Sequence, residues 1–293
     1  MSRVWLVFFP QLWWCSDTLT MQGSLLSPPS VLQSLELGQS VRAFRNTASG
    51  DSKEVSVIRK SRAPDIYHLK GFLSGSECDR LITLALERGL GVAETQGRGD
   101  YRRNSRVAWL ANSHDGVVAS LARSAGNLLL SPSAKLAEGT GNEDLQCVHY
   151  KDGGEFVLHT DGAPRVLTVI YYLNGVGGTY FPLADCEGKR DGSRPPPRNR
   201  RRALQLAEGG KPGVHGLLVG SSEGEQHANP SSPAVCEIER GDAVAFYNFH
   251  HTHGAISDGG SSLVGELDWR AIHAGLPSNG EKWIANHFFR VRL

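Results

Sequence analysis

Leu145-Gln146-Cys147-Val148-His149-Tyr150-Lys151-Asp152-Gly153-Gly154-Glu155-Phe156 runs through Val157 and Leu158 into His159-Thr160-Asp161. The first six residues are apolar-rich and end in a glycine turn, which predicts one strand, a turn, and a second strand that carries His159. Downstream, Arg165-Val166-Leu167-Thr168-Val169-Ile170-Tyr171-Tyr172-Leu173-Asn174 is β-branched and aromatic, the composition of a strand buried on both faces. A turn at Gly177-Gly178 then leads into Thr179-Tyr180-Phe181-Pro182. Alternate side chains of a strand point to one face, so His159 and Asp161 are expected to reach a single metal ion from one strand. Two imidazole nitrogens and one carboxylate on one face of an octahedral ion leave the other positions open for a chelating co-substrate and dioxygen, an arrangement suited to non-haem Fe(II). The missing imidazole has two sources in the sequence. One is His273; the other is the denser group His250, His251 and His253, which also reads as a separate zinc site.

Helical signals precede these strands. Ser76-Glu77-Cys78-Asp79 has the form of a capping box, and Cys78, Leu81, Ile82, Ala85 and Leu86 follow at helical spacing. Asp115 is placed to cap a second helix in which Val118, Leu121, Ala125 and Leu128 or Leu129 recur up to Ser131-Pro132. Helices first and antiparallel strands after predict an α+β chain, with the helices bracing one face of a two-sheet jelly roll.

At 293 residues, 40% hydrophobic and 21% charged, the chain has the make-up of a globular protein with one main domain. Its formal net charge of +1 argues against bulk nucleic acid as a partner. Residues 1–15 hold an apolar stretch, Val4 to Phe9, broken by Pro10; it is too short to span a bilayer, and no small-residue cleavage site follows it. A signal core, an anchor and a mis-assigned start all remain open, and membrane association with them. Residues 1–61 therefore read as a leader and a poorly ordered lead-in, and 62–293 as the folded domain. Within it, about 183–234 reads as a disordered insertion, and its Arg194-Pro195-Pro196-Pro197-Arg198-Asn199-Arg200-Arg201-Arg202 run as a solvated loop, with nuclear import or nucleic-acid contact as the alternative. Of the five cysteines, Cys78 and Cys147 are expected as buried thiols, while Cys186 and Cys236 bracket the insertion and are expected to pair across its base.

Taken together, these motifs resemble the catalytic domain of the prolyl 4-hydroxylases, within the 2-oxoglutarate and Fe(II) dependent dioxygenases. The resemblance rests on the Tyr150-to-Gly154 turn, the His159-x-Asp161 pair and the Gly177-Gly178-x-x-Phe181-Pro182 turn. It extends to Arg240-Gly241-Asp242-Ala243-Val244-Ala245-Phe246-Tyr247-Asn248, to Asp268-Trp269-Arg270-Ala271-Ile272-His273-Ala274-Gly275, and to Gly280-Glu281-Lys282-Trp283. Gly71-Phe72-Leu73-Ser74 and Arg103-Asn104-Ser105 match family positions upstream, so the likeness spans about residues 62 to 293. The interval from His273 to Lys282 is slightly shorter than in the family pattern.

The resemblance implies a double-stranded β-helix in which His159, Asp161 and His273 hold Fe(II), favouring His273 over the histidine group. It implies that 2-oxoglutarate chelates the metal and that Lys282 grips its far carboxylate, with hydrogen bonds from Tyr150 and Thr168. Arg103 and Trp109 are candidate substrate contacts; a salt bridge and a core aromatic are their ordinary alternatives. The implied reaction hydroxylates a peptidyl proline while 2-oxoglutarate and O2 are consumed and succinate is released, with ascorbate rescuing oxidised iron. The expected partner is a proline-containing peptide or protein, and the expected setting is the endoplasmic reticulum or secretory pathway, with the cytoplasm as the alternative. Whether a partner subunit is needed is not legible. Another protein side chain, a small molecule or a nucleobase remains an alternative substrate, and a non-catalytic jelly-roll binding module an alternative role.

Overall fold

A computed structural model describes residues 28–92, 105–131, 140–162, 164–186, 197–220, 234–250 and 267–291. Among the described residues, fifteen strands form two sheets. The larger contains β1 (Ser40–Asn46), β2 (Ser52–Arg62), β3 (Asp65–Lys70), β4 (Gly91–Val92), β5 (Ser105–Leu110), β6 (Thr140–Asn142), β7 (Leu145–Tyr150), β9 (Arg165–Tyr172), β13 (Ala243–Tyr247) and β15 (Lys282–Val291). Its order is β1-β2-β3-β13-β9-β15-β7-β5-β4, with β6 paired to β15. The smaller contains β8 (Phe156–His159), β10 (Gly178–Phe181), β11 (Leu217–Gly220), β12 (Val235–Cys236) and β14 (His273–Gly275), ordered β12-β11-β10-β14-β8. Successive strands from β7 onward alternate largely between the two sheets, which is the wrapping of a jelly roll.

Strand β9 is buried from Val166 to Tyr172 because both of its faces are covered. On one side, Val169 and Tyr171 join Cys147, Ala245 and Ala285 beneath two helices, α2 (Gly75–Arg88) and α3 (Gly116–Leu129), which contribute Leu81, Leu84, Ala85, Val118, Leu121, Ala125 and Leu129. On the other side, Ile170 and Tyr172 join Val148, Tyr150, Ile284, Phe181, Leu217, Val219 and Phe246 between the sheets. The expected brace of helices on one face of the roll is therefore present. Asp115 caps α3 by accepting from the Val117 amide. The cap of α2 lies two residues earlier than the sequence reading placed it: Ser74 and Glu77 form the box, with Ser74 Oγ accepting from the Glu77 amide and the Glu77 carboxylate from the Ser74 amide.

The lead-in is not poorly ordered over residues 30–61. A short helix α1 (Ser30–Gln33) precedes the β1-β2 hairpin, which extends the larger sheet from the edge of β3. Weak hydropathy periodicity concealed it, because the inward face of β1 carries Arg45 alongside Val41 and Ala43. Arg45 is 5% exposed, ion-pairs with the Glu77 carboxylate and donates to the Phe72 carbonyl. A charge buried this way is tolerated only because it is fully engaged. Residues 1–15, and the start of the lead-in up to residue 27, lie outside the described residues.

The insertion is likewise partly folded. It contains β11 and a helix α4 (Arg200–Ala207), capped by Asn199 accepting from the Arg202 amide. Ala203 and Ala207 pack with Ile272 and, alongside them, Leu158 and Trp269, so Arg200 to Arg202 of the basic run are the exposed start of a helix packed on the smaller sheet, while residues 194–196 lie outside the described residues. Cys186 and Cys236 form no disulfide: both are buried thiols, Cys186 donating to the Gly216 carbonyl at 3.0 Å. Cys78 and Cys147 are buried free thiols, as expected.

The Arg240-Gly241-Asp242 segment owes its form to Asp242, which is 2% exposed. One of its oxygens accepts from the Gly71 amide at 2.7 Å, and the other from the Glu239 amide at 3.1 Å and His68 Nε2 at 2.9 Å. Burial opposes a charge on His68, but hydrogen bonds to Asp242 and Cys236 outweigh it and raise its pKa to about 9. This pair locks β13 to β3.

Candidate active site

His159 ends β8 and His273 begins β14, and the two residues are direct cross-strand partners. Their ring centroids lie 4.2 Å apart. Each Nδ1 sits 2.9 Å from the carbonyl oxygen two residues earlier in the chain, that of Val157 for His159 and of Ala271 for His273. A carbonyl can only accept, so each Nδ1 carries the proton and each Nε2 presents its lone pair. Both Nε2 atoms face Asp161 Oδ1, at 3.8 Å from His159 and 4.0 Å from His273. Asp161 is not the alternate residue of the strand, as the sequence reading had it. β8 stops at His159, and Asp161 stands in the turn toward β9, just before Gly162 at φ +72°.

These three side chains are the one His, Cys, Asp or Glu cluster among the described residues whose ligand atoms all fall within 4.8 Å of one another. Burial works against the Asp161 carboxylate, yet the two imidazoles, the Thr168 hydroxyl and Arg165 hold its pKa below the usual range, so it is an anion. The donor set fits a divalent ion of borderline character: two imidazoles with their far nitrogens anchored, and one carboxylate. Phe156 packs 3.8 Å from the His159 ring, and Phe246 and Phe181 lie 4.8 and 5.3 Å from that of His273. Aromatic rings thus pack against both imidazoles. His250, the one member of the rival group among the described residues, is instead engaged by Arg270 at 3.2 Å and lies 3.5 Å from Asp268. His251 and His253 lie outside the described residues.

Lys282 opens β15 and is 1% exposed. Its Nζ donates to the Gly178 carbonyl at 2.7 Å and lies 5.3 Å from the Tyr150 ring, and among the described residues no carboxylate pairs with it. Burial pushes its pKa down to about 7. Space for it depends on Gly177, at φ +80°, where a Cβ would stand 2.6 Å from Lys282 Cδ. Tyr150 and Lys282 are register partners across β7 and β15, so the expected proximity of these two is present.

Thr168 is not beside Lys282. Its hydroxyl donates to Asp161 Oδ2 at 2.6 Å, which corrects the expectation that it supports the far carboxylate of a co-substrate. The residue that sequence reasoning missed is Thr179, 2% exposed, next to the Gly178 carbonyl that Lys282 binds. Tyr172 donates to its oxygen at 2.8 Å, leaving the Thr179 hydrogen available. Its place directly after the Gly177-Gly178 turn was the available signal. Trp109 is 40% exposed on β5, on the face that also carries Val107 toward the space between the sheets; it is therefore not a core aromatic. Arg103 lies outside the described residues.

Comparisons with known proteins find relatives over most of the chain. The family described as the 2OG-Fe(II) oxygenase superfamily matches residues 145–290, half of the chain. Probable prolyl 4-hydroxylase 6 of Arabidopsis thaliana is 28% identical over 261 residues, covering 80% of this chain and 72% of that one. The human transmembrane prolyl 4-hydroxylase is 28% identical over 179 residues, 51% of this chain and 30% of that one. Among solved structures, the viral collagen prolyl hydroxylase of Paramecium Bursaria Chlorella virus-1 aligns at TM-score 0.47 and 22% identity, over 78% of this chain and 96% of that one. The matched residues contain every element of the site, from Tyr150 through His159, Asp161 and His273 to Lys282, and the chain belongs to the 2OG-Fe(II) oxygenase superfamily.

Proposed function

We propose that this oxygenase hydroxylates proline in a peptide or protein. His159, Asp161 and His273 would hold Fe(II), and Lys282, with Tyr150 and Thr179 beside it, would hold the far carboxylate of 2-oxoglutarate. The iron supplies the chemistry by which O2 is split between products: one oxygen atom converts a substrate C–H to C–OH, and the other leaves in succinate as 2-oxoglutarate loses CO2. The protein's own part is positional. The anchored imidazoles would keep their Nε2 atoms converging, and the buried Lys282 ammonium would fix one end of a dicarboxylate among the aromatic and aliphatic side chains between the sheets. Trp109, exposed on the same side of the larger sheet, and Arg103 are the proposed contacts for an extended, proline-bearing segment. Ascorbate is proposed as the reductant that restores oxidised iron, supported by the family resemblance alone.

The observation that carries the catalytic reading is the convergence of two tautomer-locked imidazoles and Asp161 beside a buried lysine. The choice of proline is supported by curated relatives named as prolyl 4-hydroxylases, matched over most of the chain. No helix among the described residues is long and apolar enough to cross a membrane. The proposed setting is the secretory pathway, supported by the apolar stretch from Val4 to Phe9, with the cytoplasm as the alternative. Succinate release from purified protein, with and without proline-rich peptides, tests the proposal. Stimulation by peptide, with mass spectrometry placing one added oxygen on proline, is expected. Turnover indifferent to every peptide would move the substrate to another class, and no turnover with Fe(II) supplied would leave a binding module.

A further inference from the structure

We propose that Thr168 and Asn248 are positioning residues that present Asp161 to the metal through one oxygen only. This rests on the reading of His159, Asp161 and His273 as metal ligands. Asp161 stands past the end of β8, so no strand ladder orients it. Its carboxylate is oriented from behind: Oδ2 accepts from Thr168 Oγ1 at 2.6 Å, while Oδ1 alone faces the two Nε2 atoms. A hydroxyl has a single hydrogen. With that hydrogen given to Asp161, Thr168 Oγ1 can only accept from its other neighbour, and Asn248 Nδ2 supplies the donor at 3.1 Å.

The chemistry therefore dictates which way the Asn248 amide points. The reverse orientation would set two acceptors against each other. Asn248 is 2% exposed, and its Oδ1 is buried without a partner among the described residues. That arrangement sacrifices one end of the amide to keep the donor on Thr168. The backbone of Asn248 is held at both ends of the relay. Its amide donates to the Val166 carbonyl on β9, two residues from Thr168, and its carbonyl accepts from Asp268, at the start of the 3-10 turn Trp269–Ala271 that leads into His273. The relay Asn248 to Thr168 to Asp161 thus has one polarity, and it ends by occupying the oxygen that a two-oxygen carboxylate ligand would need.

The test uses the full chain and Co(II), whose visible absorption reports coordination without turnover. Thr168→Val keeps the shape and removes the hydroxyl; Thr168→Ser keeps the hydroxyl; Asn248→Asp replaces the donor with an acceptor. Thr168→Val is expected to weaken Co(II) binding roughly ten- to a hundredfold and to alter the absorption bands, Asn248→Asp to alter the bands in the same sense, and Thr168→Ser to retain wild-type affinity and spectrum. If Thr168→Val does not fold, Asn248→Asp carries the test. Wild-type Co(II) affinity and bands in a folded Thr168→Val or Asn248→Asp protein would overturn the positioning role, whatever happens to its melting temperature. If His159→Ala also binds Co(II) like wild type, or wild type does not bind it, the ligand reading itself is wrong and this inference falls with it.

Discussion

Raising the pH above neutrality should weaken 2-oxoglutarate binding, because the ammonium of Lys282 is hard to keep charged where it lies. Burial lowers its pKa from 10.5 to about 7, and at 1% exposure solvent cannot screen it. In the unfolded chain the amine stays protonated up to its ordinary value. Between about pH 7 and 10.5 the unfolded state therefore binds more protons, and the ligand-free fold gains stability as pH rises through that window. A shift of this size corresponds to on the order of 5 kcal/mol against the ligand-free fold at and below pH 7. A carboxylate placed against Nζ offsets that cost by drawing the proton back, so binding above pH 7 should take up a proton. Affinity should approach a tenfold loss per pH unit, giving roughly a tenfold or larger rise in Kd between about pH 7 and about pH 8.5. Calorimetric titration of the Co(II)-loaded protein with 2-oxoglutarate, in buffers of different ionisation enthalpy, measures both the Kd and the proton uptake. Lys282→Met should bind weakly at every pH, show no uptake, and unfold at higher denaturant than wild type when ligand-free. A Kd that is flat across this range with no proton uptake in wild type, or the same pH dependence in Lys282→Met, refutes the reasoning.

Other consequences follow from the same contacts. His159→Ala and His273→Ala should each abolish succinate release, since each leaves the metal with only two protein ligands; normal turnover in His273→Ala would redirect attention to His251 and His253. Gly177→Ala should raise the 2-oxoglutarate requirement at least tenfold in a succinate assay, because the new methyl meets Lys282 Cδ at 2.6 Å and the left-handed backbone is strained; an unchanged requirement would show that Lys282 is not the anchor. Arg45→Ala should cost about 3–5 kcal/mol in denaturant unfolding by stranding the buried Glu77 charge, and a loss under 1 kcal/mol would mean the β1-β2 hairpin is dispensable to the core. The His68–Asp242 pair contributes stability that is full below the unfolded His value of 6.5 and lost as pH rises through about 9. At the acid end, Asp242 has its pKa lowered, burial opposing but His68 and two amides prevailing, so its share is present above 3.8 and lost as pH falls. Asp242→Asn should flatten the alkaline limb of a stability-pH curve, and an unchanged limb would count against the pair.

Residues 145–174 determined the core of this protein by themselves. Period-two patterning and β-branched density are local properties, and burial on both faces leaves a continuous apolar run such as Val166 to Tyr172 whatever the partners are. The Asp115 cap was similarly local, because its carboxylate meets the amide two residues on; the α2 box was displaced by two residues because Ser74 and Ser76 are equally able hydroxyls and only Ser74 has Glu77 three residues on. The ligand set was legible for a different reason, since both histidines and Asp161 sit in motifs whose spacing the family resemblance carried. Only the tertiary structure decided the rest. β1 and β2 carry a buried arginine that makes sense only once Glu77, 32 residues away, is brought against it; without that partner the segment looks too polar to fold. Helix α4 buries fully only two small residues, Ala203 and Ala207, with Leu204 packed beside them, and what makes this face a packing surface is Ile272, far along the chain. Thr168 and Thr179 are equally plausible hydroxyls in the sequence. Which of them meets Asp161 and which stands beside Lys282 depends on the two sheets facing each other, and hydrogen bonds across that gap join residues whose separation in sequence says nothing about their separation in space.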